Sequence, residues 1–276
     1  MIDAYGLHIG PLYIHFYALI LVMAIFVGTW FTARRAKSKG EKPEMVWDII
    51  TWALLPGIIG ARFYHVLTPT PASGLTTQYY FQHPFEMLAI WNGGLGIYGA
   101  VLGGAVGIIL YAKYHHISIL KWLDLAMPGL LLGQAIGRWG NFANNELYGA
   151  PTKLPWAINI PPEKRLPGYE QYSTFHPIFL YESLWNLASF GFILWLERRY
   201  RQHLREGDLV LIYLVLYPVG RFLLDFVRLD SNGIGPLTTA QWASLAAAIT
   251  ASALLAIRHL QPRIGVVLGS NRKSNG

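Results

Sequence analysis

The stretch from Gly137 to Gly149 (GRWGNFANNELYG) places one arginine, three asparagines, one glutamate and three glycines within 13 residues. Asparagine and glutamate side chains can hold a guanidinium fork, and glycine lets backbone approach a ligand closely. The stretch therefore reads as a binding site built around Arg138, Asn141, Asn144, Glu146 and Gly149 rather than as a plain loop. A second group follows a similar logic: Arg221, Asp225 four residues on and Arg228 seven residues on share one face if this segment is helical. Arg62 adds a further arginine in an otherwise apolar run. Arginine matches phosphate oxygens bidentately and stays charged at any physiological pH, so the chemistry these residues suggest is capture of a phosphate-bearing anion. The plainer alternatives are a structural Arg221–Asp225 pair and snorkelling of Arg62 and Arg228 to an interface.

These residues must be positioned by membrane helices. Of the 276 residues, 53% are apolar and only 13% charged, against about 25% charged in ordinary soluble domains. Disordered and collagen-like chains are excluded, and with no cysteine so is a disulfide-stapled secreted domain. A bilayer core needs roughly 20 mostly apolar residues per helix, and seven windows qualify, at about 12–33, 45–67, 94–112, 123–138, 178–196, 209–227 and 239–257. The fourth is short, and Pro56 and Gly57 predict a kink in the second. The fold class expected is an all-α integral membrane protein of seven transmembrane helices.

Orientation follows from the cations. Arg34, Arg35, Lys37, Lys39, Lys42, Lys113, Lys121, Arg198, Arg199, Arg201, Arg205, Arg258, Arg263, Arg272 and Lys273 fall on one set of loops and make up 15 of the 22. The positive-inside rule then puts the N-terminus outside and the C-terminus in the cytoplasm. The first segment lacks the basic start and small-residue cleavage site of a signal peptide. The domain expected is 1–262, with an ordered outside cap inserted at about 139–177 and packed on Tyr148, Trp156, Tyr169, Tyr172 and Phe175, and a cytoplasmic tail over 263–276. With this topology Arg62, Arg138, Arg221, Asp225 and Arg228 come to one level near the outer leaflet, joined by His15, Tyr17, Tyr98, His176 and Glu182. Asp48 and Asp124, at the inner ends of their spans, are the exceptions. A charge in hydrocarbon costs about 2.5–3.5 kcal/mol on insertion scales, and the anion guaranteed at that depth is the phosphate of a lipid headgroup. Gly99, Gly103 and Gly107 have a different reading, as a small-residue stripe for close helix packing.

The motifs carry a resemblance. GRWGNFANNELYG resembles the signature of the prolipoprotein diacylglyceryl transferases of bacteria. His15-Phe16-Tyr17, Gly60-Ala61-Arg62, Phe175-His176-Pro177 with Leu180-Tyr181-Glu182, and Gly220-Arg221-Phe222 with Asp225 and Arg228 resemble the family's motifs in spans one, two, five and six. Where many members have histidine in span three this chain has Tyr98, and Asp225 stands where many have glutamate. Tyrosine, near pKa 10, is a poor base at neutral pH.

The resemblance implies transfer of the diacylglyceryl group of phosphatidylglycerol to the lipobox cysteine of a prolipoprotein signal peptide, with a thioether formed and glycerol-1-phosphate released. The partners implied are phosphatidylglycerol, the precursor and membrane lipid; no nucleic acid, cofactor or metal is expected, and the setting is the bacterial inner membrane. Because the chain has no cysteine, the reacting thiol is the substrate's. The roles expected are Arg138 and Arg221 on the phosphate with Arg62 a weaker candidate, Asn141 and Glu146 ordering Arg138 and the headgroup glycerol, Asp225 orienting Arg221, and Tyr17 and Tyr98 on the lipid head. His15, Asn144 and Gly149 complete the binding residues. The residues do not single out a proton acceptor for the thiol. The rival classes are a transporter with an outer-leaflet anion site, an intramembrane protease and a purely structural membrane protein. A transport path needs polar groups at the midplane, and no convincing serine–histidine or paired-aspartate motif lies within the spans.

Overall fold

The computed structural model describes residues 6–9, 12–69, 75–229 and 233–260. In chain order these form β1 (Gly6–Ile9), β2 (Leu12–His15), α1 (Phe16–Ser38), α2 (Glu44–Leu67), α3 (Thr77–Gln82), α4 (Pro84–Leu88), α5 (Ile97–Tyr114), α6 (Ile119–Ala143), β3 (Ile158–Asn159), β4 (Thr174–Phe175), α7 (Ile178–Tyr200), α8 (Asp208–Leu224), β5 (Gly233–Ile234), β6 (Leu237–Thr238) and α9 (Thr239–Leu260). The strands are three separate antiparallel hairpin pairs, β1–β2, β3–β4 and β5–β6. The framework is helical, and among the described residues six helices, α1, α2, α5, α6, α7 and α9, are long and apolar enough to cross a membrane.

Three of the boundaries that differ from the expected windows have a clear physical reason. The first span begins at Phe16 rather than 12, because residues 12–15 pair with residues 6–9 in a hairpin. The fourth is not short: α6 runs 25 residues, continuing as helix through Arg138 and Asn141, where apolarity alone ends the window. The sixth is cut back to the 17 residues of α8, about 25 Å at 1.5 Å per residue and short of a full bilayer core. It ends because the next residues pair elsewhere: Ala150 N–H donates to the Val227 carbonyl at 2.7 Å, and Gly149 bridges Arg228. The expected tail, 263–276, lies outside the described residues.

The chain forms two compact units, one of residues 1–22 and 134–276 and the other of residues 23–133. In the second, α2 and α5 pack along their glycines. A Cβ on Gly99, Gly103 or Gly107 would run into the carbonyls of Gly60, Pro56 and Trp52 respectively. The two series step by four residues in opposite directions, as close antiparallel packing of small-residue faces requires. Pro56 lacks the N–H that would bond the Trp52 carbonyl, and the bare backbone of Gly107 lies against that oxygen. The proline thus costs this unit a helical hydrogen bond where a neighbouring backbone is close enough for a Cα–H contact. A separate core cluster joins Ala33, Ala36, Val46, Trp122 and Leu125.

In the first unit, Tyr148, Ile160 and Phe175 bury together beneath Leu166, Tyr169 and Leu229. Tyr148 accepts from the Leu166 amide at 2.6 Å and donates to the Lys164 carbonyl at 3.0 Å. Burial pushes its phenol pKa up, more than the Leu166 bond and nearby Arg165 lower it. Trp156 and Tyr172 stay exposed, and Trp156 serves as a hydrogen-bond donor to the Tyr181 hydroxyl at 2.8 Å.

Adjacent glycines of α5 test the packing. A Cβ at Gly104 meets the Ala53 carbonyl at an ordinary 3.5 Å, whereas one at Gly103 collides with Pro56 backbone. Gly103→Ala should lower stability by about 1–3 kcal/mol through overpacking, while Gly104→Ala should be neutral or mildly stabilising through helix propensity. Thermal unfolding of both variants in detergent checks the contrast.

Candidate functional site

Three helices of the first unit converge on one carboxylate. Glu182, in the second turn of α7, is buried. Its Oε2 meets Arg138 Nε of α6 at 2.9 Å. Its Oε1 meets Arg228 Nη1, just past α8, at 3.4 Å and faces Arg221 Nη1 of α8 at 3.9 Å, the last an ion-pair approach beyond hydrogen-bonding distance. Arg221 closes with Asp225 Oδ1 at 3.1 Å, the pairing that i,i+4 spacing predicts. Asp225 is itself buried and its other oxygen accepts from the Thr238 hydroxyl.

Thr238 begins α9 with a capping box: its hydroxyl accepts from Gln241 N at 3.0 Å and its amide donates to Gln241 Oε1 at 2.9 Å. Charge and helix termini are thus joined from Arg138 to Gln241. Local packing holds the three helices in register. Ser183 donates to the Ala135 carbonyl at 2.9 Å, Gln134 to the Tyr213 hydroxyl at 2.8 Å, and Trp185 Nε1 to the Leu216 carbonyl at 2.9 Å. The indole reaches that backbone because Gly220 has no side chain to block it.

Three guanidiniums against two carboxylates leave this cluster with one net positive charge. The side chains of Arg138 and Arg221 are each 25% exposed while that of Arg228 is 5% exposed. The space enclosed among Arg138, Glu182, Tyr217 and Arg221 is only about 10 Å³, the size of one water at most. An anion would therefore meet Arg138 and Arg221 on their open sides.

One turn beyond Arg138 on α6, Asn141 is buried and donates to Glu146 Oε1 at 2.9 Å. Glu146 thus sits on Asn141, while Arg138 is held by Glu182. The end of α6 accounts for another asparagine. Glu146 N–H bonds the Asn141 carbonyl at 3.0 Å and Asn145 N–H the Phe142 carbonyl at 3.0 Å, the Schellman pattern, with Asn145 at φ 54° in the left-handed position that tolerates asparagine. Leu147 also sits at φ 54°, a strained conformation for a branched apolar residue.

Asn144 and Glu146 line a cleft of about 510 Å³ with Tyr13, His15, Tyr148 and Lys164. The Tyr17 ring lies where a side chain on Gly140 would project. Gly149 permits a close backbone approach, to protein rather than ligand: a Cβ there would meet the Val227 carbonyl at 2.8 Å and the His176 Cβ at 3.0 Å. His176 Nδ1 shares a hydrogen bond with the Tyr181 hydroxyl at 3.0 Å.

Arg62 and Tyr98 belong to the other unit. Arg62 is buried and gives four hydrogen bonds to carbonyls, from Nε to Met87 at 2.9 Å, from Nη1 to Gly93 at 2.7 Å and Gly94 at 3.1 Å, and from Nη2 to Glu86 at 2.5 Å. It pins the last turn of α4 and the turn at Gly93 and Gly94, with four bonds from five donors. Tyr98 is exposed, its ring tilted on Tyr64 at 5.6 Å.

Residue type alone leaves Glu182, Thr238 and Gln241 without a role. Glu182 carried a usable signal, an acid inside an apolar run; the Thr238–Gln241 spacing carried another.

Helices of this length, with an ion cluster buried among them, define a multi-pass membrane protein. The chain belongs to the prolipoprotein diacylglyceryl transferase family, whose family model matches residues 5–257. Among its relatives, a phosphatidylglycerol–prolipoprotein diacylglyceryl transferase of Gloeobacter violaceus is 42% identical over 239 residues, 86% of each chain. Proteins of the same name from Paenarthrobacter aurescens and Chloroflexus aggregans are 41% and 36% identical over 271 and 276 residues, covering 94% and 92% of this chain and 82% and 88% of theirs.

Removing one partner of a buried ion pair costs about 3–5 kcal/mol, because the remaining charge is left uncompensated. Glu182→Gln should therefore lower thermal stability far more than Glu146→Gln, since Glu146 is exposed and its amide replacement can still accept from Asn141. Parallel melting curves in detergent decide it, and equal melting temperatures would contradict the shared-carboxylate arrangement.

Proposed function

We infer that this chain transfers the diacylglyceryl group from phosphatidylglycerol to the cysteine thiol of a prolipoprotein, the first step of lipoprotein maturation. The sulfur–carbon bond forms as the carbon–oxygen bond to phosphate breaks. The electron pair leaves with glycerol-1-phosphate, and the thiol proton passes to the phosphate or to solvent. The family match and relatives of that name support this reading, and the comparisons give the transporter alternative no support.

The observation that carries the mechanism is the pair of partly exposed guanidiniums, Arg138 and Arg221, held by one buried carboxylate in a cluster of net positive charge. On this reading they clamp the phosphate, and preorganised cations of this kind stabilise the charge that develops on the leaving group. Glu182 orders both arginines and Asp225 orients Arg221. Asn141 and Glu146 receive the headgroup glycerol, with His15 and Asn144 along the adjoining cleft and Tyr17 on the lipid head. Gly149 serves by keeping the turn at Arg228 tight. The positive field would also lower the pKa of an incoming thiol from about 8.5, which reduces the need for a strong protein base. Arg62 and Tyr98 enter no step of this scheme.

The membrane arrangement proposed with it has seven crossings, α8 included, within a domain of residues 1–262. The N-terminus is outside, the segment 139–177 forms an outside cap, and the site faces the outer leaflet of the bacterial inner membrane. The cation bias of the loops supports that orientation.

Arg138→Gln and Arg221→Gln should each slow transfer by about a hundredfold or more, the usual scale for loss of one charge-stabilising donor. The measurement is the mass gain of one diacylglyceryl unit on a model precursor peptide incubated with phosphatidylglycerol in detergent. Near-normal transfer by both variants would overturn the phosphate clamp.

A further inference from the structure

A second feature of the first unit lies about 20 Å from Glu182 along α7, taking the 13 residues to Trp195 at 1.5 Å each. There the last turns of α7 and α9 and the first turns of α8 enclose a groove of about 780 Å³, within the range of small-molecule sites. Its walls are apolar, with Trp195 of α7, Leu216 of α8 and Leu255 of α9 among them, and its far end is lined by Tyr200, His203 and His259. From Phe192 to Tyr200 the groove follows about 12 Å of helix, close to the half-thickness of a hydrocarbon core.

The polar end is where the cations gather. Arg199 and Arg201 are exposed on either side of Tyr200, and the Arg199 guanidinium lies over the Tyr200 ring at 5.4 Å. Asp208, the acid nearest the groove's histidine, is already consumed: it is fully buried and takes His259 Nε2 at 2.8 Å, Arg205 N at 2.7 Å and Arg258 Nε at 3.5 Å. The groove is thus apolar along its length, and at its polar end the exposed Arg199, which does not itself line it, sits over the Tyr200 ring with Arg201 close by in the chain. An apolar slot that ends beside exposed cations complements a lipid with an acyl chain and an anionic head.

We propose that this groove is a binding site for one diacyl phospholipid of anionic headgroup, one acyl chain lying between α7, α8 and α9 and the phosphate meeting Arg199, Arg201 and His203. The site is independent of the arginine cluster at Glu182, and it binds without chemistry.

Native mass spectrometry of the full-length protein with added phosphatidylserine, an anionic lipid without the glycerol head, tests this against phosphatidylcholine. Expected is one phosphatidylserine retained under conditions that strip phosphatidylcholine. Its apparent affinity should fall at least fivefold in the double variant Arg199→Gln/Arg201→Gln, and the adduct should be lost in Ala256→Trp, which fills the groove. Diacylglyceryl transfer, measured in parallel, should stay within twofold in both variants, so loss of transfer activity in the wild type would question the proposed function and not this site. Equal retention of the two lipids, or phosphatidylserine retention unchanged in the arginine variant, would overturn the proposal. So would a change of oligomeric mass in Ala256→Trp without change in lipid retention, because the groove would then seat a second copy of the chain.

Discussion

The carboxylate of Glu182 is the constraint on which the first unit depends. An ion buried in a medium of low dielectric carries a desolvation penalty of several kcal/mol that only close, well-directed partners offset. Glu182 draws those partners from α6, from α8 and from the turn after α8. Because the guanidiniums must reach one point, the helices have little freedom to slide. The neutral bonds around them, Ser183 to Ala135, Gln134 to Tyr213 and Trp185 to Leu216, all fall within about two turns of the charged residues. The same surplus of arginine that demands this packing leaves a positive field at its open edge. On the proposed reading, stability and anion affinity here have one physical source.

Backbone that departs from helix near these charges is closed on protein. At the end of α6 the Asn145 and Glu146 amides turn back to the helix. Past α8 the Val227 carbonyl is taken by Ala150 and Arg228 pairs with Gly149. Irregular chain at membrane depth survives only where such partners are supplied. The shortening of α8 is one result, and it also delivers Arg228 to Glu182. Had the helix continued straight, the residue seven positions beyond Arg221 would rise about 10 Å along the axis, and a shared carboxylate could not serve both easily.

Much of this was legible in the residues, and the illegible part has a common cause. Continuous apolar runs locate helices because burial in lipid acts residue by residue; the ends shift where tertiary partners intervene, as at β1–β2 and beyond Leu224. Spacing within one helix exposed Arg221–Asp225 and the Gly99, Gly103, Gly107 stripe, since both are periodic. What meets that stripe, the carbonyls of Gly60, Pro56 and Trp52, depends on the register of a second helix that no local pattern encodes. The sequence places Glu182 at the outer level but gives it no partner for the same reason: its partners are 39 to 46 residues away in sequence. Residue type pointed Asn141 and Glu146 at Arg138, and they bond each other because Asn145 turns the chain so that Glu146 folds back over the helix end.

Arginine shows why type alone cannot assign a role. Arg62, Arg138 and Arg228 all lie in or beside apolar helices, and residue type alone ranks Arg138 first as an anion receptor, Arg62 behind it, and leaves Arg228 between that and an interface anchor. Their donors are committed differently. Arg62 spends four of its bonds on carbonyls of one short segment, so phosphate could enter only by dissolving that segment. Arg228 is closed off by burial. Arg138 pairs with Glu182 through Nε at a quarter-exposed position, which leaves its terminal nitrogens for a second anion among the described contacts. Whether a buried arginine holds a fold or a ligand is decided by which acceptors reach it first, and the carbonyls at the end of α4 and at Gly93 and Gly94 take the donors of Arg62 before any ligand can.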